Sequence, residues 1–238
     1  IFNGEIYNYE ELKEDLLNKG YNFNTEGDSE VLLNSFIEYG IDCLERFIGM
    51  FAFAIHNKEN KTTYLVRDRL GIKPLYYHQN QNQLTFSSEI KSILRLEKSI
   101  KKEVNLDAIS SYLSFRYPIL DDTFFNGIKS LPPAHYLKIC DSDIEVVEYW
   151  NAVHRFEEQK NDKGEQFYIK ELQRLLESSV KYRMISDVPI GSYLSGGVDS
   201  SIITALMSEN SEKPIKTFTI GFNEDGYNEF EFANIIKE

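Results

Sequence analysis

The segment YLSGGVDSS, Tyr193 to Ser201, reads as the end of a strand, a glycine turn and the start of a helix. Leu194 closes an apolar approach. Gly196 and Gly197 permit a tight backbone path, and Ser200 and Ser201 open a run through Ile202, Ile203, Ala205, Leu206 and Met207. The unpaired N–H groups of a helix start, with the positive end of its dipole, make an anion site that glycine allows a ligand to approach. Ser195, Ser200 and Ser201 add hydroxyl donors. The loop lacks Lys, so it is not the GxxxxGK(S/T) phosphate loop. Asp199 would repel phosphates unless a divalent cation sat between them, so the expected ligands are ATP and Mg²⁺. The same letters also suit a strand-to-helix turn with Asp-Ser-Ser capping and no nucleotide.

Working outward, apolar residues Ile169, Leu172, Leu175, Leu176 and Val180 recur at helical spacing between Phe167 and Tyr182. The run Lys216 to Phe222 reads as a strand leading into an acidic turn. Strand, helix, strand in that order predicts a parallel sheet. Residues Glu157 to Glu165 are almost all polar, and they mark a loop between two domains. Before it, Leu12, Leu16 and Leu17 mark a helix stopped at Gly20. A second helix starts at Asp28 and Ser29, carries Leu32, Leu33, Phe36 and Ile37 on one face, and stops at Gly40. Strands are expected at Met50 to His56, Thr63 to Asp68, Pro74 to Tyr77 and Leu84 to Ser87, separated by Asn57 to Asn60, Gly71 and the polar run Gln79 to Gln83. Helices are expected at Glu89 to Leu94 and Leu106 to Phe115.

The chain has 238 residues, 42% of them hydrophobic, which suits one large domain or two small ones. A net charge of −12 and a pI near 4.9 argue against nucleic acid as the main partner. The basic cluster Lys98, Lys101 and Lys102 reads as a solvated loop. No apolar run approaches the ~20 residues of a membrane span, so the cytoplasm is the default location. Cys43 and Cys140 fit no metal or redox spacing and are expected as buried free thiols. His56, His78, His135 and His154 form no ligand spacing. Arg67 to Arg69 and Lys73 to Tyr77 read as scaffold salt bridges and strand packing, with an interdomain role for Arg69 as the alternative. The chain opens on Ile1 and ends at Glu238 in an unfinished helical run, which reads as a piece of a longer protein.

The opening FNGEIYN, Phe2 to Asn8, is the second constellation. Asn3 offers a side-chain amide, Gly4 a close-approach N–H and Glu5 a carboxylate for a substrate ammonium group, a set suited to a tetrahedral oxyanion on an amino-acid substrate. The competing reading is an Asn-Gly turn before a helix. Asp28 is either a second ammonium anchor or an N-cap.

NGEIYN at Asn3 to Asn8, GDSE at Gly27 to Glu30, GMFAFAI at Gly49 to Ile55, RDRLGIKPLYY at Arg67 to Tyr77, SSEIKSIL at Ser87 to Leu94 and SDVPIGSYLSGGVDSS at Ser186 to Ser201 follow one another in this order. With them the chain resembles the glutamine-dependent asparagine synthetase family over essentially its full length. The resemblance implies an N-terminal-nucleophile αββα sandwich, residues 1–156, followed by the start of a parallel-sheet adenine-nucleotide domain, residues 165–238. It implies Asn3 and Gly4 as oxyanion-hole donors, and Glu5 and Asp28 as holders of the glutamine amine. In the second domain it implies Leu194 and Ile220 as nucleotide-lining residues, Ser195, Gly196, Gly197, Asp199 and Ser200 as the pyrophosphate loop, and Asp199 as the Mg²⁺ ligand. The nucleophilic Cys and the glutamine-carboxylate Arg are expected upstream of Ile1, and the rest of the ATP and acceptor sites beyond Glu238. The 238 residues by themselves are therefore expected not to hydrolyse glutamine. The implied substrates are glutamine, aspartate and ATP, with a homodimer left open. The alternatives are an amidotransferase acting on another carboxylate such as a sugar acid, one closing β-lactam rings, a non-catalytic nucleotide-binding remnant, and a tRNA-modifying enzyme, which the acidic balance disfavours.

Overall fold

The computed structural model describes residues 1–80, 83–140, 143–157, 162–222 and 229–236. The chain divides into two compact units, Ile1–Gln159 and Lys160–Glu238.

The first unit begins with β1 (Phe2–Ile6), α1 (Tyr9–Asn18) and α2 (Asp28–Tyr39), followed by a 3-10 turn at Gly40–Glu45. Then come β2 (Gly49–Asn57), β3 (Thr62–Arg67), β4 (Tyr76–Gln79), β5 (Leu84–Ser87), α3 (Ile90–Leu96) and α4 (Leu106–Phe115). It closes with β6 (Lys129–Ser130), β7 (His135–Cys140), β8 (Asp143–Glu148) and α5 (Ala152–Glu157). An antiparallel sheet runs β1-β2-β3-β7-β8, and a smaller one runs β5-β4-β6.

Strand alternation assigns the layers, because successive side chains point to opposite faces. From β2 and β3, Phe51, Phe53 and Val66 join Leu12 and Leu16 of α1 and Val31 and Leu32 of α2 in one core. Their neighbours Ala52 and Leu65 turn the other way, against Leu75 and Tyr77 at the smaller sheet. With α3 packed on β4 and β5, the layers follow the αββα order.

Several expectations change. The buried stripe of α2 is Val31, Leu32 and Ser35, with Phe36 beside the core, whereas Leu33 and Ile37 are exposed. Cys43 is buried but Cys140 is exposed. The strand expected at Pro74 to Tyr77 lies two residues later, and β6, β7 and β8 lie in a stretch where the sequence showed no strand. Nor does NG form a turn, since β1 runs straight through Asn3 and Gly4 and pairs Gly4 with Phe51. A Cβ at Gly4 would stand 2.2 Å from the Met50 carbonyl oxygen and 2.7 Å from Phe51 Cα, so the close strand approach requires glycine.

Arg67 and Asp68 govern the crossover from β3 to β4. Asp68 is buried, and its carboxylate accepts four backbone N–H groups, from Phe51, Leu70, Ile72 and Lys73. Arg67 donates to the carbonyls of Gly71, Lys73 and Leu131 and to the Ser130 hydroxyl. Arg69 donates to the carbonyls of Leu44, Glu45 and Phe47. Among the described residues, main-chain carbonyls are thus the principal partners of these two half-buried guanidinium groups, where salt bridges were expected, because a guanidinium presents up to five donors in a fixed fork.

The second unit holds α6 (Glu165–Arg183), β9 (Gly191–Tyr193), α7 (Val198–Glu209), β10 (Lys216–Phe218) and α8 (Phe230–Ile236). β9 and β10 pair in parallel, as the element order predicts. β10 is shorter than expected and stops before Thr219. Residues 158–161 of the expected interdomain loop, 81–82 of the polar run, the acidic turn at 223–228, and the terminal 237–238 lie outside the described residues.

Candidate functional site

In the first unit the candidate residues gather at the end of β1. Asn3 and Glu5 are both exposed, and strand alternation puts them on the same face, opposite Phe2 and Ile6. Asn3 Nδ2 donates to Ser88 Oγ at 3.2 Å, bridging β1 and the turn after β5. Asp28 Oδ2 accepts the Ile6 N–H at 2.9 Å, which sets its carboxylate one residue from Glu5. Gly27 occupies the N-cap position and Asp28 is the first helical residue, so the capping alternative for Asp28 gives way to a β1-to-α2 tie. A carboxylate here also sits favourably at the positive end of the helix dipole.

Asn8, from the same motif, holds the far side of this end. Its carboxamide donates to the Arg46 carbonyl and accepts the Ile48 N–H, while Tyr7 N–H donates to the Ile48 carbonyl. Sequence reasoning gave Asn8 and Ser88 no role, although both fall inside motifs it had marked. Cys43 has its thiol pushed up to about 12, chiefly by burial, so it is inert as a nucleophile at neutral pH.

In the second unit Gly196 takes φ +81, and a Cβ there would stand 2.4 Å from Phe232 Cβ and 2.6 Å from the Phe232 carbonyl carbon. Gly197 caps α7. The hydroxyls of Ser195 and Ser200 lie 3.0 Å apart, and Ser200 and Ser201 both donate to the Gly197 carbonyl. Leu194 is buried. Its N–H donates to the Phe218 carbonyl, and its own carbonyl accepts the Thr219 hydroxyl at 2.7 Å. This second bond extends the link past the end of β10. The sequence did not single out Thr219, since a lone hydroxyl carries no pattern signal.

Leu194, Ser195, Ser200 and Ile220 line one cleft of about 430 Å³ with Tyr193 and Phe218. Four of the candidate residues are thereby brought together. Asp199 is exposed in the first turn of α7 and lies outside that lining. Hydroxyls, a helix start and apolar aromatic walls suit a nucleotide with its phosphates at the turn and its base on the wall. No group of three or more metal-ligating side chains exists among the described residues. A lone exposed carboxylate nevertheless fits Mg²⁺, which commonly uses one or two carboxylates with waters and substrate phosphates.

Comparisons with known proteins bear on both units. The glutamine amidotransferase domain family matches residues 1–150, and the asparagine synthase family matches residues 171–238. Asparagine synthetase [glutamine-hydrolyzing] 1 of Bacillus subtilis (strain 168) is 40% identical, covering 98% of this chain and 36% of its own length. Asparagine synthetase [glutamine-hydrolyzing] 3 of the same organism is 35% identical, covering 94% of this chain and 37% of its own length. Putative asparagine synthetase [glutamine-hydrolyzing] 2 of Methanocaldococcus jannaschii is 38% identical, covering 99% and 45% respectively. The chain thus spans less than half the length of the relatives it matches. The first match spans more than half of the chain, so the chain belongs to the glutamine amidotransferase domain family, and its residues 171–238 are similar to the asparagine synthase family.

Proposed function

We propose that this chain belongs to a carbon–nitrogen ligase that makes asparagine from aspartate, ATP and glutamine. The observation that carries this reading is the pairing on one chain of two sites: the β1 constellation of the amidotransferase unit, and a hydroxyl-lined strand-to-helix turn beside an apolar cleft. We take the amidotransferase domain as residues 1–156 and the synthetase segment as 165–238.

At the first site, Glu5 and the Asp28 oxygen not bound to Ile6 hold the glutamine ammonium group, while the Asn3 amide and the Gly4 N–H receive the oxyanion. A thiolate supplied by the whole gene product attacks the glutamine amide carbon. The C–N bond breaks with a proton delivered to nitrogen, ammonia leaves, and water hydrolyses the thioester to glutamate. At the second site, the turn from Ser195 to Ser200 holds the pyrophosphate end of ATP. A β-carboxylate oxygen of aspartate attacks the α-phosphorus, and the bond to the β-phosphate oxygen breaks. Ammonia then displaces AMP from the acyl carbon. Leu194 and Ile220 line the nucleotide. When bound at Asp199, Mg²⁺ neutralises the phosphate charge that this carboxylate would otherwise repel. Among the described residues no helix is long and apolar enough to cross a membrane, which accords with a cytoplasmic setting.

The test is ATP-dependent asparagine formation by the whole gene product, with glutamine or ammonium as nitrogen donor. Asparagine from both donors is expected. ATP binding without any adenylation of aspartate would overturn the acceptor assignment.

A further inference from the structure

We propose that Ser88 is a positioning residue that fixes the Asn3 carboxamide for oxyanion stabilisation. The inference rests on the reading of Asn3 as an oxyanion donor. Asn3 is exposed, and the terminal torsion of an Asn side chain is broad and roughly two-fold. Left alone, the carboxamide would spend much of its time with oxygen, or with neither group, facing a bound substrate. Among the described residues, the side-chain hydrogen bond that restrains it comes from 85 residues away, where Ser88 Oγ accepts one Nδ2 hydrogen at 3.2 Å. An amide nitrogen carries two hydrogens, so this bond leaves the second one available and fixes its direction.

Ser88 is well placed to serve as such an anchor. It sits between the last residue of β5 and Glu89, the N-cap position of α3, in a turn where the Glu89 N–H donates to Ser87 Oγ at 3.2 Å. The hydroxyl is therefore carried by the smaller sheet, and the amide it holds by the larger one. Preorganised donors stabilise a developing charge because no reorientation is needed as it forms, so the contribution of Ser88 falls on turnover and not on substrate affinity.

The experiment measures glutaminase kinetics of the whole gene product for Ser88→Ala, Ser88→Thr, Asn3→Ala and the Asn3→Ala/Ser88→Ala pair. Ammonium-dependent synthesis and the unfolding midpoint serve as controls for folding. The expected result for Ser88→Ala is a kcat about tenfold lower, with KM for glutamine within about twofold and both controls unchanged. Ser88→Thr, which keeps the hydroxyl, restores turnover. The double variant is no slower than Asn3→Ala alone, because Ser88 acts only through that amide. A Ser88→Ala enzyme with full turnover beside a slow Asn3→Ala enzyme would overturn the positioning role while leaving the oxyanion reading intact. So would a rise in KM in place of the fall in kcat. An Asn3→Ala enzyme as fast as the parent would overturn both.

Discussion

Asp68→Asn should cost the first unit about 2–4 kcal/mol of stability, because the change removes acceptors without removing volume. In the parent, Oδ1 accepts from Leu70 N at 3.1 Å and Ile72 N at 3.0 Å, and Oδ2 accepts from Phe51 N at 3.2 Å and Lys73 N at 2.9 Å. An Asn at this position must turn its NH₂ toward one pair or the other. Either choice leaves two N–H groups facing a donor, and no rotamer escapes it. A buried donor stripped of its acceptor costs roughly 1–3 kcal/mol, with the lower half of that range apt for the three part-buried loop amides. The sum is a large fraction of the 5–15 kcal/mol typical of a domain. The assay is urea unfolding followed by the fluorescence of Trp150, the chain's single tryptophan. It adjoins Tyr149, whose hydroxyl donates to the Arg67 carbonyl, so it reports on this unit and this corner of it. A change below about 1 kcal/mol at unchanged m-value would refute the view that the carboxylate organises the crossover.

Further outcomes follow from other parts of the structure. Gly196→Val puts a side chain at φ +81 and against the α8 backbone, at a combined cost of about 2–5 kcal/mol. In the whole enzyme, pyrophosphate release should be lost while glutaminase activity persists, and equal loss of both would contradict the division of labour. Asp199→Asn should raise the Mg²⁺ concentration needed for half-maximal pyrophosphate release, read by a magnesium titration. An unchanged requirement would remove Asp199 from the metal site. With a thiol-reactive dye at pH 8, exposed Cys140 should label promptly and Cys43 only after unfolding. Cys43 is raised from 9.0 to about 12, and burial also raises Tyr149. The folded state therefore holds protons that the unfolded state releases, so stability is full below pH 9 and falls as pH rises toward 12. Replacing Cys43 by Ala should flatten part of that slope in unfolding midpoints measured across this range.

The helices were legible in the sequence where two signals coincided. Leu12 and Leu16 at helical spacing with Gly20 behind them gave α1. α4 came out with its observed bounds, and Asn105 caps it by accepting from the Asp107 and Ala108 N–H groups. The face of α2 was misread because Leu33 and Ile37 are as apolar as the residues it buries, and composition alone does not say which stripe meets a sheet. β8 escaped notice since it is an edge strand whose residues are all exposed or half-buried, giving no clean alternation, and β6 is only two residues long. The turn competing for Asn3 and Gly4 reflected a real local preference that strand pairing overrides. At the candidate sites, motif order named the residues, but the Ser88 and Thr219 contacts join positions 85 and 25 residues away, and no local pattern encodes such pairings.

The Asp68 corner also bears on motion. Leu70, Ile72 and Lys73 belong to no strand or helix, and the side chains of Leu70 and Ile72 face solvent. Amides in such a place ordinarily exchange their hydrogens with water quickly, but here each is tied to one carboxylate held in the protein interior. Release of any one requires the corner to open, so their exchange should track the unfolding of the adjoining sheet instead of the fast fraying of a loop. A stretch that looks irregular in outline would then keep time with the core.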